Sequence, residues 1–274
     1  MIAILAAAAV LLVGVLVLIW SMQEQIAYQP PADVVADVNG AHRVDYRAAD
    51  GQPLFGFVVG DPESSTGVLM AFHGNADAAA WQIRWAEDVV ERTGYAVFLP
   101  EYRGYMGLPG RPTYAGIRQD AKAAYEFVRD SLGVDPSAIA MFGHSLGTAV
   151  AAELAVEHRP RALLLQSPFT SSRDMAGRMV TLPVATLLHF VTRIPYDTRT
   201  HVAKIDAPTW VIHGKRDLIV PARMGRAVFD AVRHKGAFVV IERAGHNDVG
   251  HADRDRYWKW MAAALGSHRL AVTY

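Results

Sequence analysis

The chain of 274 residues contains no cysteine. Disulfide staples, thiolate zinc sites and a cysteine nucleophile are thereby excluded, while the redox character of the compartment stays open. It also lacks a charge imbalance, with 27 Lys and Arg against 27 Asp and Glu. Its densest basic cluster, "HGKRD" at 213–217, is too short for a phosphate-binding face. That argues against a nucleic-acid partner, which needs clustered cations. No internal repeat or low-complexity tract is present. The length suits one substantial domain or two small ones.

Charge is missing from the first segment altogether. From Ile2 to Trp20 the sequence reads "IAILAAAAVLLVGVLVLIW", and Glu24 is the first charged side chain. A helix of this run would be about 28 Å long, close to the hydrocarbon thickness of a bilayer. Trp20 stands where an amphipathic ring favours the lipid–water boundary. A cleaved signal peptide would carry a basic n-region and a small-x-small cleavage site, and neither is evident. A buried core helix is the other alternative, although cores seldom take so long an apolar run. The expectation is a single-pass anchor over 1–23 and a linker over 24–40, where Pro30 and Pro31 cannot lie inside a helix. The amino terminus in front and Glu24 behind point the bulk of the chain to the extracytoplasmic side, though neither flank has the Lys or Arg that sets topology.

Beyond the linker, "HRVDYRAADGQPLFGFVVG" predicts a hairpin about Asp50-Gly51. Then short apolar runs ("GVLMAF", "YAVFLP", "AIAMFG", "RALLLQ", "TWVIHG", "FVVIE") alternate with segments of helical spacing. Continuous apolar strands separated by amphipathic helices predict an α/β fold, a mostly parallel sheet covered on both faces. The domain is expected over 41–266, with a short tail at 267–274. One connection is long: about 40 residues separate Gln166 from Pro208, where such loops usually hold 2–6. Its almost uncharged middle, "MVTLPVATLLHFV", reads as a helical lid within 168–206.

The most informative stretch is "MFGHSLGTAVAAELA". Gly143-His144-Ser145-Leu146-Gly147 is a G-x-S-x-G turn between a strand and a helix. Such a turn strains the serine backbone and exposes its Oγ, and the glycines keep Cβ atoms out of the tight crossing. A serine hydroxyl needs a base to act as nucleophile. Asp217 lies in the loop after "TWVIHG" and His246 in the loop after "FVVIE". This gives the chain order Ser, Asp, His, with all three at carboxyl ends of strands, where open α/β sheets bind ligands.

Rival residues have blander readings. His251 suits a helix start, His144 local packing, His73 and His213 loop hydrogen bonds, and His189 packing in the lid. Asp206 precedes its strand, and Asp248 stands too near His246 to orient it. Acyl transfer also needs oxyanion donors. The main-chain N–H of Leu146 at the helix start is one, and that of Asn75 in "HGNAD" is the second.

Together "HGNAD", "EYRGYMGLPGRPTYAGIRQDA", "GHSLG", "SPF", "HGKRDLIVP" and "AGHND" resemble the α/β-hydrolase superfamily over about 41–265. They look most like its N-terminally membrane-anchored serine hydrolases related to eukaryotic protein depalmitoylases. The resemblance implies Ser145 as nucleophile, His246 as base, Asp217 as orienting acid and Asn75 and Leu146 as oxyanion donors. It also gives the turn Tyr102–Tyr105 a structural role. The triad mechanism requires no metal or organic cofactor, and the apolar lid and anchor suggest a small-molecule or lipid-like acyl substrate. Depalmitoylases of this type use an N-terminal cysteine cluster, which this chain lacks, so depalmitoylation is not carried over. Ester or thioester hydrolysis, peptidase or amidase activity, and a non-catalytic binding protein on this fold stay open as readings.

Overall fold

The computed structural model describes residues 2–31, 38–179 and 193–266. Among these residues the strands are β1 (His42–Arg47), β2 (Pro53–Val59), β3 (Val68–Phe72), β4 (Ala96–Pro100), β5 (Ile139–His144), β6 (Leu163–Gln166), β7 (Thr209–Gly214) and β8 (Lys235–Ile241). They form one sheet in the order β1-β2-β4-β3-β5-β6-β7-β8. The hairpin β1-β2 is antiparallel and adds to β4 antiparallel, whereas β4, β3, β5, β6, β7 and β8 run parallel.

The apolar runs are continuous because each central strand feeds two cores. Val68, Met70 and Phe72 of β3 enter one cluster while Leu69 and Ala71 enter the other. Met141 and Phe142 of β5, and Val211 and Ile212 of β7, divide in the same way. This is the period of two expected of a pleated strand. On the first face lie α3 (Tyr114–Glu126), α4 (Leu146–His158), α6 (Thr198–Val202) and α7 (Ala222–Ala231). On the second lie α2 (Ile83–Thr93) and α9 (Arg254–Leu265), the latter preceded by the short α8 (Val249–Ala252). Burying each such Val, Leu, Ile or Phe stabilises the fold by about 1.5–3 kcal/mol, so the two clusters hold the sheet between helical layers.

Local chemistry sets helix starts. Thr113 caps α3 by accepting from the Gly116 N–H at 3.0 Å, and Asp253 caps α9 by accepting from Arg256 N–H at 3.1 Å. Each satisfies one of the donors a helix start leaves unpaired. Between β6 and β7 the described residues include α5 (Ser172–Met179) and α6. The middle of the expected lid, with His189, lies outside them, as do the expected tail and positions 32–37 of the linker.

The N-terminal helix α1 runs from Ile2 to Ala27, longer than the expected anchor. Its Val10–Ala27 stretch is long and apolar enough to cross a membrane by length and composition. The expected linker from 24 therefore needs correction. Glu24–Ala27 are helical, and Tyr28 is a core residue at 2 % exposure, because its ring packs in the first cluster and its hydroxyl meets that of Tyr196 at 3.3 Å.

Candidate functional site

Ser145 joins β5 to α4 with φ 50° and ψ −113°. A non-glycine residue with positive φ costs about 1–3 kcal/mol and persists only when its surroundings hold it. Here they do. Ser145 N–H donates to the Gln166 carbonyl at 3.0 Å, and the Ser145 carbonyl accepts from the Thr148 N–H at 3.0 Å. The glycines permit the crossing. A Cβ on Gly147 would lie 2.0 Å from the Phe72 carbonyl oxygen, and one on Gly143 would lie 2.3 Å from that of Gly147.

His246 follows β8, and its Nε2 lies 2.9 Å from Ser145 Oγ. Its Nδ1 lies 2.7 Å from Asp217 Oδ2. The loop carrying His246 is fixed by Asp248, whose Oδ1 accepts from Gly245 N–H at 2.6 Å. His144 Nε2 meets the His246 carbonyl at 3.3 Å. Asp217 is itself buried and surrounded by donors. Oδ1 accepts from the N–H groups of Ile219 (2.9 Å) and Val220 (2.7 Å), and His213 Nε2 stands 3.3 Å from Oδ2. Burial pushes the Asp217 carboxyl up, but the hydrogen bonds from His213, His246 and Val220 outweigh it and hold the carboxyl well below the usual carboxylate range. Asp217 is thus a carboxylate, able to keep Nδ1–H of His246 toward itself and the Nε2 lone pair toward the serine.

The loop after β3 passes beside the serine, since a Cβ on Gly74 would sit 3.5 Å from Ser145 Cβ. Among the described residues the main-chain N–H groups of Asn75 and Leu146 donate to no other protein group. Leu146 opens α4 directly after Ser145, so the positive end of the α4 dipole lies beside the serine.

Sequence reading gives His73 loop hydrogen bonds and the Tyr102–Tyr105 turn a structural role, but assigns no role to Glu101. Glu101, at the end of β4, is fully buried; it pairs with His73 Nε2 at 2.8 Å and accepts from Ala79 N–H at 3.0 Å. It thereby brackets the 73–79 loop. Burial lowers the His73 pKa, but the charge and hydrogen bond of Glu101 outweigh it and hold the imidazole above its usual value. Tyr102 donates to the His73 carbonyl at 3.2 Å, and Tyr105 donates to Asn75 Oδ1 at 2.9 Å, so the Tyr102–Tyr105 turn braces the same loop. Asp206 lies elsewhere, paired on the surface with Arg233 at 2.8 Å, and His251 is exposed. One groove of about 340 Å³ lies between α3 and α4, lined by Tyr114, Arg118, Glu153 and Tyr196 among others; it contains none of Ser145, Asp217 or His246. Among the described residues no three acidic or histidine side chains are grouped to hold a metal ion.

An eight-stranded, mostly parallel sheet with a serine elbow after β5 and a histidine after the last strand defines an architecture known from hydrolases. Comparison with known proteins agrees. The serine aminopeptidase S33 family profile matches residues 63–197. An uncharacterised protein of Mycobacterium tuberculosis is 36% identical over 243 residues, covering 86% of this chain and 84% of that protein. The alpha/beta hydrolase domain-containing protein WAV2 of Arabidopsis thaliana is 32% identical over 231 residues, covering 78% of this chain and 74% of its own. An esterase from Pyrococcus furiosus shares the fold with a TM-score of 0.69 at 18% identity, over 87% of this chain and 97% of that one. The chain belongs to the α/β-hydrolase superfamily.

Proposed function

We propose that the protein is a serine hydrolase cleaving carboxylic esters or thioesters of acyl substrates, tethered to a membrane by α1 with its catalytic domain on the extracytoplasmic side. The observation that carries the activity is the Asp217–His246–Ser145 relay, with contacts of 2.7 and 2.9 Å. Ser145 Oγ attacks the acyl carbonyl while His246 Nε2 takes its proton, and Asp217 stabilises the imidazolium. The oxyanion accepts from the N–H groups of Asn75 and Leu146, each worth about 100–1000-fold in rate. His246 then gives the proton to the departing alcohol or thiol, leaving an acyl-serine. Water, deprotonated by His246, releases the acid and restores the serine.

Apolar side chains at the rim support an apolar acyl group. Leu218 (88 % exposed) and Ile219 (55 %) adjoin Asp217, and Trp81 (47 %) follows the Asn75 loop. Large exposed apolar groups beside a polar relay suit a ligand with a carbonyl and a hydrocarbon chain. The family profile, named for an aminopeptidase, supports a second reading as an amidase working through the same relay.

Full-length protein in detergent, assayed on p-nitrophenyl esters, acyl thioesters and p-nitroanilides, separates these readings. Ester or thioester turnover should exceed anilide turnover, and Ser145→Ala should lower it by about 10⁴-fold or more while the fold stays intact. Equal ester turnover by the variant would sink the serine assignment; anilides as the preferred substrates would establish the amidase.

A further inference from the structure

The last carbonyls of any helix lack intrahelical donors. At the end of α1 the missing donor comes from the loop after β3, where Asn75 Nδ2 donates to the Ala27 carbonyl at 2.7 Å. In the other direction, Gln29 N–H donates to Asn75 Oδ1 at 2.9 Å, and the Tyr105 hydroxyl donates to the same oxygen at 2.9 Å. Both acceptor positions of the carboxamide oxygen and one of its two N–H donors are occupied, so the side chain has a single orientation. The next residue, Ala76, has φ 51°, a strained backbone that requires support.

The helix end is gripped at other points as well. The buried Tyr28 ring meets Tyr196. Arg193 pairs with Glu24 at 3.2 Å and lies over the Trp20 ring at 4.9 Å from its centroid, and its N–H donates to Gln23 Oε1 at 2.7 Å. The end of α1 is therefore docked on the domain, and its contact with the 73–79 loop is through Asn75, the residue after the Gly74 that passes beside Ser145.

We propose that the end of α1 and the two residues after it, Ala27–Gln29, are part of the catalytic centre: through the Asn75 carboxamide they hold the Asn75 main-chain N–H where the oxyanion forms. The Asn75 side chain is then a positioning group for its own backbone, and α1 sets turnover as well as location. The proposal depends on the hydrolase activity. A shift of α1 against the domain would reach the oxyanion through the Ala27 and Gln29 hydrogen bonds.

The test uses the full chain in detergent or nanodiscs with a short, water-soluble p-nitrophenyl ester, so that membrane partitioning does not enter KM. Asn75→Ala removes all three contacts yet keeps the main-chain N–H. It should lower kcat by about 10–100-fold, less than the loss of an oxyanion donor outright, and leave KM within about 3-fold. An alkyl boronic acid, which forms a tetrahedral adduct on the serine, should lose affinity in parallel with kcat. Asn75→Asp keeps the volume and both acceptor contacts but loses the donor to Ala27; it should show a smaller loss of the same kind, and it decides the matter if the alanine variant unfolds. Folded variants with wild-type kcat, or a rise in KM alone, would overturn the proposal. Absence of ester turnover by the wild-type protein would instead overturn the hydrolase reading.

Discussion

Replacing Asp217 with asparagine keeps the shape of the side chain and removes its charge. Three donors converge on the carboxylate: His246 Nδ1 and the N–H groups of Ile219 and Val220, at 2.7–2.9 Å, while His213 Nε2, 3.3 Å from Oδ2, is bonded to the Val220 carbonyl at 2.8 Å. Asparagine offers one acceptor atom and one NH2 group, so it cannot accept on both sides. If its oxygen stays with the two main-chain amides, its NH2 faces His246 Nδ1, which must then accept. The imidazole proton moves to Nε2, where it faces Ser145 Oγ and cannot receive the serine proton. A tautomer reversal of this kind costs about 10⁴-fold in kcat. The opposite orientation leaves the Ile219 and Val220 amides without acceptors, at about 1–3 kcal/mol for each unpaired group, so the first is preferred.

The assay is kcat on a soluble ester with urea unfolding in parallel. Asp217→Asn should be folded and nearly inactive. Acid stability gives a second readout, and its sign is fixed by the depressed carboxyl pKa. Because the folded carboxyl titrates below its unfolded value, its contribution is present at neutral pH and is lost as pH falls through the carboxylate range. The variant should therefore lose stability less steeply than wild type on acidification. A folded Asp217→Asn with kcat within about 10-fold of wild type would refute the tautomer argument, which requires the far larger loss.

Gly147→Ala places a methyl group 2.0 Å from the Phe72 carbonyl oxygen; denaturant titration should register a loss of about 3 kcal/mol or more, the upper range for overpacking, and a loss near zero would contradict the described crossing. His144 tests burial beside the serine. Burial and the neighbouring His246 lower its pKa to about 4, so the unfolded chain binds a proton that the folded one refuses, and stability should fall as pH drops from about 6.5 towards 4, by at most about 3 kcal/mol. His144→Gln should remove that part of the slope; parallel stability curves for the two proteins would contradict it.

What sequence made legible was local. The continuous apolar strands, the G-x-S-x-G turn and the positions of Asp217 and His246 after their strands all follow from short windows and chain order. The structure brings Ser145, Asp217 and His246 within hydrogen-bonding distance and sets the Asn75 loop beside them. What escaped was long-range. Tyr28 looks like a linker residue because the partner that buries it, Tyr196, is 168 residues away. Glu101 reads as an ordinary charge after a strand until His73 and Ala79 are seen to surround it. The start of β8 was hidden by Lys235 and Gly236, poor strand formers. Gly236 is there because any Cβ would press on the Trp210 ring at about 2.5 Å. The rule that strands follow apolar runs fails where a neighbouring ring, rather than the residue itself, fills the space.

The central claim is that Ser145 is an activated nucleophile. It is tested most directly by exposing the purified full-length protein to a fluorophosphonate probe and locating the adduct by peptide mass spectrometry. The account predicts a single adduct on Ser145, formed at least about 10³-fold more slowly in a His246→Ala variant, since the hydroxyl then has no base. A folded protein that forms no adduct, or one that reacts at another residue, would contradict it.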